Sequence, residues 1–589
     1  MKLRPGFKLI RIPKPDEPCF CPSRLKYADC CLQRSVRLIG GGKDMLVQEI
    51  GGVRIFRPRN ESNLAVRKKA EPFLRAAFGP GKYTDFDVLQ AILHRQVDFF
   101  GEQFDALIPK LASLDFLGFI LWQYDESGKL EDLFKADKLK GQAFDAWSGL
   151  GPTYRRALKY IAERVTMLVP DDMVETMPSV DVLDEAFICA EELIDYCIVS
   201  DQTNLFKTGT VVEIQPEGQK TYIDHDILDP RITKFQQRIY TDAAVRKNFF
   251  DQPDYESDFD THAKDLDAPL INLIGASLGE CLQVLRLTRD GCPPAPNNPY
   301  KTKFVLRSEV VKNLAAHFNK TEITVDRILQ GFSLTKKDLK SRSRDGEDIW
   351  NPQSHHRAYR RGMFVLPHAL GEHLVFSDRM FYECWNIMQS EICYGQFPKE
   401  WESKSVRTAL GHVVRKRGEW FEEQVKKNLA RLSINGVSSR TSIGTGRYAM
   451  ALPGEFDFLG WSLADSALIL FEDKMLQHGS EPRLWKNQVN AFVTGDKDEE
   501  AFVSKIKRKA EWVRSNFVEV CNALRSEGIG AEVLPTRLLS GFLSFTPLAA
   551  SYFVDDFPCA SVSEFVRDYQ VTGNWPYENG TFELSINAP

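Results

Sequence analysis

The chain has 589 residues, 43% of them hydrophobic, with 12 cysteines and a net charge of −5. At about 150 residues per domain this length allows three or four domains, and so few cysteines exclude a disulfide scaffold. No run of about 18 apolar residues occurs, and the opening MKLRPGFKLIRIPKPDEP has no continuous apolar stretch; this argues against a membrane span or secretory signal and leaves the cytoplasm as the expected compartment.

A small net charge does not exclude nucleic acid, because binding depends on local patches. The basic residues are clustered: Lys336, Lys337, Lys340, Arg342 and Arg344; Arg357, Arg360 and Arg361; Arg415, Lys416 and Arg417; and Lys505, Lys507, Arg508 and Lys509. Each cluster reads either as a nucleic-acid patch or as a solvated face.

In chain order the first feature is CFCPSRLKYADCC, which sets Cys19, Cys21, Cys30 and Cys31 at C-x-C-x8-C-C spacing. Four thiolates suit a tetrahedral Zn2+, and so short a segment, flanked by proline and charge, has no core in which to bury four thiols. The segment resembles the SEC-C motif, a short zinc-binding module. Ser23, Lys26 and Tyr27 match its residue types, while Pro22 and Arg24 replace its usual glycines. A closed, structural zinc site follows, one that presents a surface to a protein or nucleic-acid partner. The other cysteines, Cys189, Cys197, Cys281, Cys292, Cys384, Cys393, Cys521 and Cys559, have no ligand spacing and read as packed thiols.

Next, VRLIGGGKDMLVQEIGGVRIF predicts short strands separated by glycines. From about Asn63 to Tyr196 apolar residues recur every three or four positions, the period of core-facing helices. Thr210 to His225 alternates around a Pro-Glu-Gly turn, as a hairpin does. GCPPAPNNPY, Gly291 to Tyr300, is the best linker. Ser308 to Phe332 predicts two short helices turning near Asn319, either a plain helical hairpin or a DNA-reading helix-turn-helix. Lys336 to Arg361 is basic and carries Trp350, His355, His356 and Tyr359, which suits unstacked bases or a solvated loop. No phosphate-binding glycine loop is present, which argues against an ATP-driven motor.

Beyond His412 the predicted order is α, β, β, β, α, β. Phe421, Val425 and Leu429 form a helical stripe beside Glu422; SINGVSSRTSI, PGEFDFLGW and ALILFEDKM are strands; RLWKNQVNAFV opens further helix, and TRLLSGFLSF is the last strand. A hairpin loop at Ser462 to Ser466 pairs residues whose numbers sum to 928 or 929, which sets Asp457 opposite Glu472. Glu472 and Lys474 share a face and Asp473 takes the other, so Asp473 is expected to tolerate substitution better. Two facing acids call for a cation: Mg2+ takes carboxylate oxygens with water and phosphate, and lysine can hold a water or a phosphate oxygen.

The region from about Gly411 to Phe545 resembles the PD-(D/E)XK (restriction-endonuclease-like) nuclease superfamily. Glu422 in GEWFE, Asp457 in GEFD, and Glu472 and Lys474 as E-x-K match its motif positions; Phe456 stands where the family's proline is usual. The resemblance implies that Asp457 and Glu472 bind Mg2+ or Mn2+, that Lys474 positions the attacking water, and that Glu422, with Gln488 in the following helix, supports the site.

The expectation is a multidomain α+β chain: a zinc-binding segment with a small hairpin (1–60), a mainly helical domain (61–290), a linker with a basic, nucleic-acid-contacting region (291–405), an αβββαβ nuclease core (406–560) and a tail (561–589). The expected activity is metal-dependent phosphodiester hydrolysis, with DNA ahead of RNA, endonucleolytic, in bacterial restriction or antiphage defence. A protein partner on the zinc module and self-association are further expected partners. The alternative is a zinc-knuckle binding or scaffold protein whose nuclease fold only grips nucleic acid.

Overall fold

The structure, a computed structural model, describes residues 47–168, 178–292 except 208, 220 and 228, 300–342, 347–350, 357–367, 371–477, 482–495 and 499–584, with isolated positions before residue 47. The four amino-terminal cysteines, residues 293–299 of the linker, and His355 and His356 lie outside the described residues.

The chain is mixed α and β. Strands β1 (Arg37–Leu38), β2 (Val47–Ile50) and β3 (Val53–Phe56) make a small sheet, with β2 and β3 antiparallel. Helices α1 (Asn60–Arg75), α2 (Phe86–Leu111), α3 (Leu114–Lys135), α4 (Gln142–Leu168) and α5 (Val180–Phe206) follow. The helical period expected here places Ile92, Leu93, Phe100 and Phe104 of α2 and Leu183, Phe187 and Ile194 of α5 in one core. Strands β4 (Gly81–Tyr83), β5 (Thr210–Ile214) and β6 (Ile223–Ile227) form a second small sheet, β5 and β6 being the expected hairpin.

After α6 (Pro230–Val245), α7 (Phe259–Ile274) and α8 (Leu278–Gly291), four short strands form a sheet in the order β7-β10-β9-β8: β7 (Lys303–Leu306), β8 (Ser333–Thr335), β9 (Met363–Leu366) and β10 (His373–Phe376). Between them lie α9 (Arg307–Phe318) and α10 (Glu322–Gln330), turning at Asn319 in the left-handed region, φ 50°, then α11 (Lys336–Arg342) and α12 (Glu347–Trp350). Helix α13 (Asp378–Glu391) follows β10.

Two expectations are corrected here. One continuous apolar core runs from Ile50 to Val413, so 61–290 and 291–405 share a core and do not divide at the linker. The arginines expected to form a nucleic-acid-contacting or solvated surface instead close internal ion pairs: Arg357 with Glu163 at 2.5 Å, Arg360 with Glu391 at 2.9 Å, and Arg361, only 2% exposed, with Glu400 at 2.6 Å. Buried charges persist only when paired.

Helix α14 (Lys404–Arg431) is capped by Ser403, whose hydroxyl accepts the Val406 N–H at 3.2 Å. Its first half buries Val406, Leu410 and Val413 in the large core, and its second half buries Phe421, Val425 and Leu429 in another. That second core belongs to a sheet ordered β11-β12-β13-β14-β15, of β11 (Ile434–Ile443), β12 (Met450–Ser462), β13 (Ala467–Lys474), β14 (Arg537–Ser544) and β15 (Cys559–Ser561), with β16 (Thr581–Glu583) also on β14. Strand β13 runs antiparallel to β12 and parallel to β14. The crossover between β13 and β14 carries α15 (Pro482–Val493), α16 (Phe502–Ser515) and α17 (Phe517–Ser526).

Helices therefore cover both faces of the sheet. Leu468 and Leu470 pack with Ile506, Val513, Val520 and Leu524 of α16 and α17, while Ile469 and Phe471 pack with α14. The stretch expected to be a tail completes the layer: Val562, Phe565, Val566 and Tyr569 of α18 (Val562–Thr572) join the α14 core, because Ile469 and Phe471 need an apolar cover. A fourth cluster joins the two parts of the chain, with Phe206 of α5 and Phe235 of α6 against Trp485 and Val489 of α15. Among the described residues no single helix is long and apolar enough to cross a membrane.

Phe565 is fully buried, with its ring 5.1 Å from that of Phe471. Phe565→Ala is expected to lower unfolding stability by about 3–5 kcal/mol in chemical denaturation; a tail residue would cost almost nothing.

Candidate functional site

The β12–β13 hairpin forms in the register that sums to 929, from Ser462 opposite Ala467 to Phe458 opposite Phe471. The regular ladder ends there, and the next residues are Asp457 and Glu472. Where the strands part, the Asp457 carboxylate takes over the ladder's role: its Oδ2 accepts the backbone N–H of Asp473 at 2.8 Å. Lys474 Nζ lies between the acids, 2.8 Å from Asp457 Oδ2 and 3.2 Å from Glu472 Oε2. Asp457, Glu472 and Lys474 are thus brought together. Burial works against the Lys474 ammonium, but Asp457 and then Glu472 outweigh it and hold the lysine above its ordinary value.

Glu422 enters from α14, one residue past the buried Phe421, and accepts a hydrogen bond from the Ser439 hydroxyl of β11. Ser439 lies between the paired positions Ser438–Phe458 and Arg440–Phe456, opposite Asp457, with φ 55°. A serine held in the left-handed region is uncommon and carries backbone strain. Burial, together with Asp457 and Glu455, pushes Glu422 up to about 7, against the Ser439 bond and the charge of Lys474.

Asp473 does take the face opposite Glu472, but that face is closed. It is the α14 side of the sheet, and Asp473 is only 8% exposed, with neither carboxyl oxygen hydrogen-bonded among the described residues. Burial first, then Asp457 and Glu422, push its carboxyl well above the usual range. The expected tolerance therefore narrows to side chains of the same shape.

Lys509, whose basic cluster reads from sequence as either a nucleic-acid patch or a solvated face, is 9% exposed and pairs with Glu472 Oε1, with its Nζ 5.3 Å from the centre of the Phe456 ring. The sequence signal was its place on the apolar stripe of α16, three residues after Ile506 and next to Ala510, both buried. Ser439 left no comparable signal.

Gln488 does not join the acids. Its Nε2 donates to the Gln477 carbonyl at 3.1 Å, and Gln477 Nε2 donates to Glu391 Oε1 at 2.5 Å, so Gln488 braces the chain as it leaves β13. The cause is geometric: Gln488 lies on the buried side of α15, with Trp485 and Phe492.

Among the described residues no three His, Cys, Asp or Glu side chains stand together as a metal cage. Mg2+ needs no such cage, since one or two carboxylates commonly hold it while water and phosphate complete its shell. The donor set fits that demand. Asp457 and Glu472 are adjacent carboxylates bridged by the Lys474 ammonium, with Lys509 on the second oxygen of Glu472 and Glu422 near enough for its carboxyl to respond to Asp457.

Asp473 yields a pH prediction. Its folded pKa lies above its unfolded value, so the folded state binds more protons and loses stability as pH rises from about 4 through the folded pKa. In chelator, Asp473→Asn is expected to abolish part of that fall and to gain about 1 kcal/mol or more at pH 8, with little change at pH 4; thermal melts at the two pH values measure it.

Comparison of the chain with protein-family models, curated proteins and solved structures gives no match.

Proposed function

We propose that the chain is a Mg2+- or Mn2+-dependent nuclease with a restriction-endonuclease-like core, and that DNA is its substrate. The observation that carries this reading is the meeting of Asp457, Glu472 and Lys474 where β12 and β13 part, with Glu422 delivered from α14. The order α14, β11 to β13, crossover helices and β14 is the element order of that core.

Asp457 and Glu472 would hold the cation, with Glu422 close enough to feel the Asp457 charge. The chemistry such a cation would supply there is neutralisation of charge on the phosphodiester and a lowered pKa for a bound water. Lys474, kept charged by both acids, directs its three donors to Asp457, Glu472 and the Asp473 carbonyl, and on exchanging one of these carboxylate bonds it donates to a phosphate oxygen or to the attacking water and holds it in line. Lys509 neutralises the second oxygen of Glu472 and fixes its rotamer from the α16 side. Strand β13 supplies rigidity, since every residue from Ala467 to Asp473 is buried.

Purified protein with Mg2+ or Mn2+ is expected to cleave DNA, and Asp457→Ala, Glu472→Ala and Lys474→Ala are each expected to lower the rate roughly 100-fold or more. Activity that persists in all three sinks the assignment. Digesting circular duplex, linear duplex, single strand and RNA side by side separates endonuclease from exonuclease and DNA from RNA. Binding without cleavage of any of them favours the scaffold alternative.

We also propose that Cys19, Cys21, Cys30 and Cys31 hold a structural Zn2+, on the strength of their spacing. Elemental analysis is expected to find about one zinc per chain, lost in Cys19→Ser with Cys21→Ser while nuclease activity is retained. Zinc content unchanged by that double substitution refutes it.

A further inference from the structure

A second concave site lies away from the acids, at the joint between the helical part and the crossover. It is a half-open cleft of about 350 Å³ lined by His94 of α2, Asp201 and Asn204 of α5, Trp350 of α12, and Arg483, Lys486, Asn487 and Asn490 of α15. The volume is within the range of small-molecule sites, but the lining is unlike an apolar pocket: one indole, one imidazole, two cations, three amides and one carboxylate.

The side chains are placed by helix geometry. Positions 483, 486, 487 and 490 are spaced i, i+3, i+4 and i+7, so they share a face of α15, while Trp485, Val489 and Phe492 anchor the opposite face in the core. The Trp350 ring sits 4.9 Å from His94 at an interplanar angle of 58°. Arg483 Nη1 donates to the Trp350 carbonyl at 2.8 Å, which fixes a guanidinium beside the indole. Lys486 Nζ is 3.4 Å from Asn204 Oδ1, at the limit of a hydrogen bond, so its remaining donors can serve another acceptor.

We infer that this cleft binds a nucleotide unit. The indole offers a stacking face for a base. Arg483 and Lys486 supply a forked and a point-charge donor for phosphate. Asn487 and Asn490, both exposed on α15, present paired amide donors and acceptors that match base edges, while Asn204 is held by Gln90 and Lys486 and orients the lysine. The indole fixed beside the guanidinium selects an occupant with an aromatic base and not phosphate alone. The inference stands independently of phosphodiester cleavage, because none of these residues belongs to the acid site.

The occupant is either a free nucleotide or one nucleotide of a single strand, and the test separates them. Full-length protein in chelator is titrated with AMP, GMP, CMP, UMP, short oligothymidylate and inorganic phosphate, read by tryptophan fluorescence and calorimetry. Saturable binding of a mononucleotide, weakened about 10-fold or more in Lys486→Ala with Asn487→Ala and unmatched by phosphate, supports a free nucleotide. Binding of the oligonucleotide alone, with the same loss in the variant, supports a strand. Absence of saturation by any nucleotide or strand up to about 1 mM, or binding unchanged in the variant, overturns the inference. Asn490→Ala, at an exposed position, gives the same readout should the double variant not fold.

Discussion

The candidate site depends on the burial of β13 from both sides. Seven apolar or charged residues in succession, Ala467 to Asp473, are buried, because α14 and α18 cover one face and α16 and α17 the other. A strand held so firmly cannot slide or rotate, and a slip of one residue would send every side chain to the opposite helix layer. The charged end of the strand is therefore positioned by its apolar beginning. Asp457, Glu472 and Glu422 are each answered within a few ångströms: Lys474 serves Asp457 and Glu472, Lys509 serves Glu472, and Ser439 serves Glu422. Asp473 alone in this group has an unanswered carboxyl among the described residues, and it is the one whose proton is held most firmly.

Much of this arrangement was legible in the residues. Strand alternation and loop length place Asp457 against Glu472, because side-chain direction in a hairpin is settled by counting from the turn. Helical period locates α2 to α5 and the Phe421, Val425, Leu429 stripe for the same reason. What counting does not supply is what lies over a face. Counting gives Asp473 the right face, but a strand does not reveal whether that face meets water or a helix. Lys509 and Arg361 look like solvent charges in a basic run until their partners, Glu472 and Glu400, arrive from elements far away in sequence. Gln488 fits a motif by position, yet its helix turns it toward the Gln477 carbonyl.

The two halves of the chain are interlocked and not merely tethered. Phe206 and Phe235 pack on Trp485 and Val489, Arg238 of α6 pairs with Glu564 of α18 at 2.8 Å, and Glu391 of α13 receives Gln477 just beyond β13. Burial, against Arg360 and Gln477, raises Glu391 up to about 7, so even this brace is set in a poorly solvated place. Helix α15 has contacts of three kinds at once: the cleft on one face, the aromatic joint on the other, and Gln488 on the segment leaving the site.

Helix α14 adds a mechanical consequence. Its 28 residues extend about 42 Å at 1.5 Å per residue, and its two ends are embedded in different cores. Such a rod transmits rotation with little loss, since bending it would break backbone hydrogen bonds. Glu422 is placed past its midpoint, on the portion that rides over the sheet. The gap between Glu422 and Asp457 is therefore set by the seating of Phe421, Val425 and Leu429 on the sheet and by the Ser439 bond, while the far end of the same rod is held in the large core.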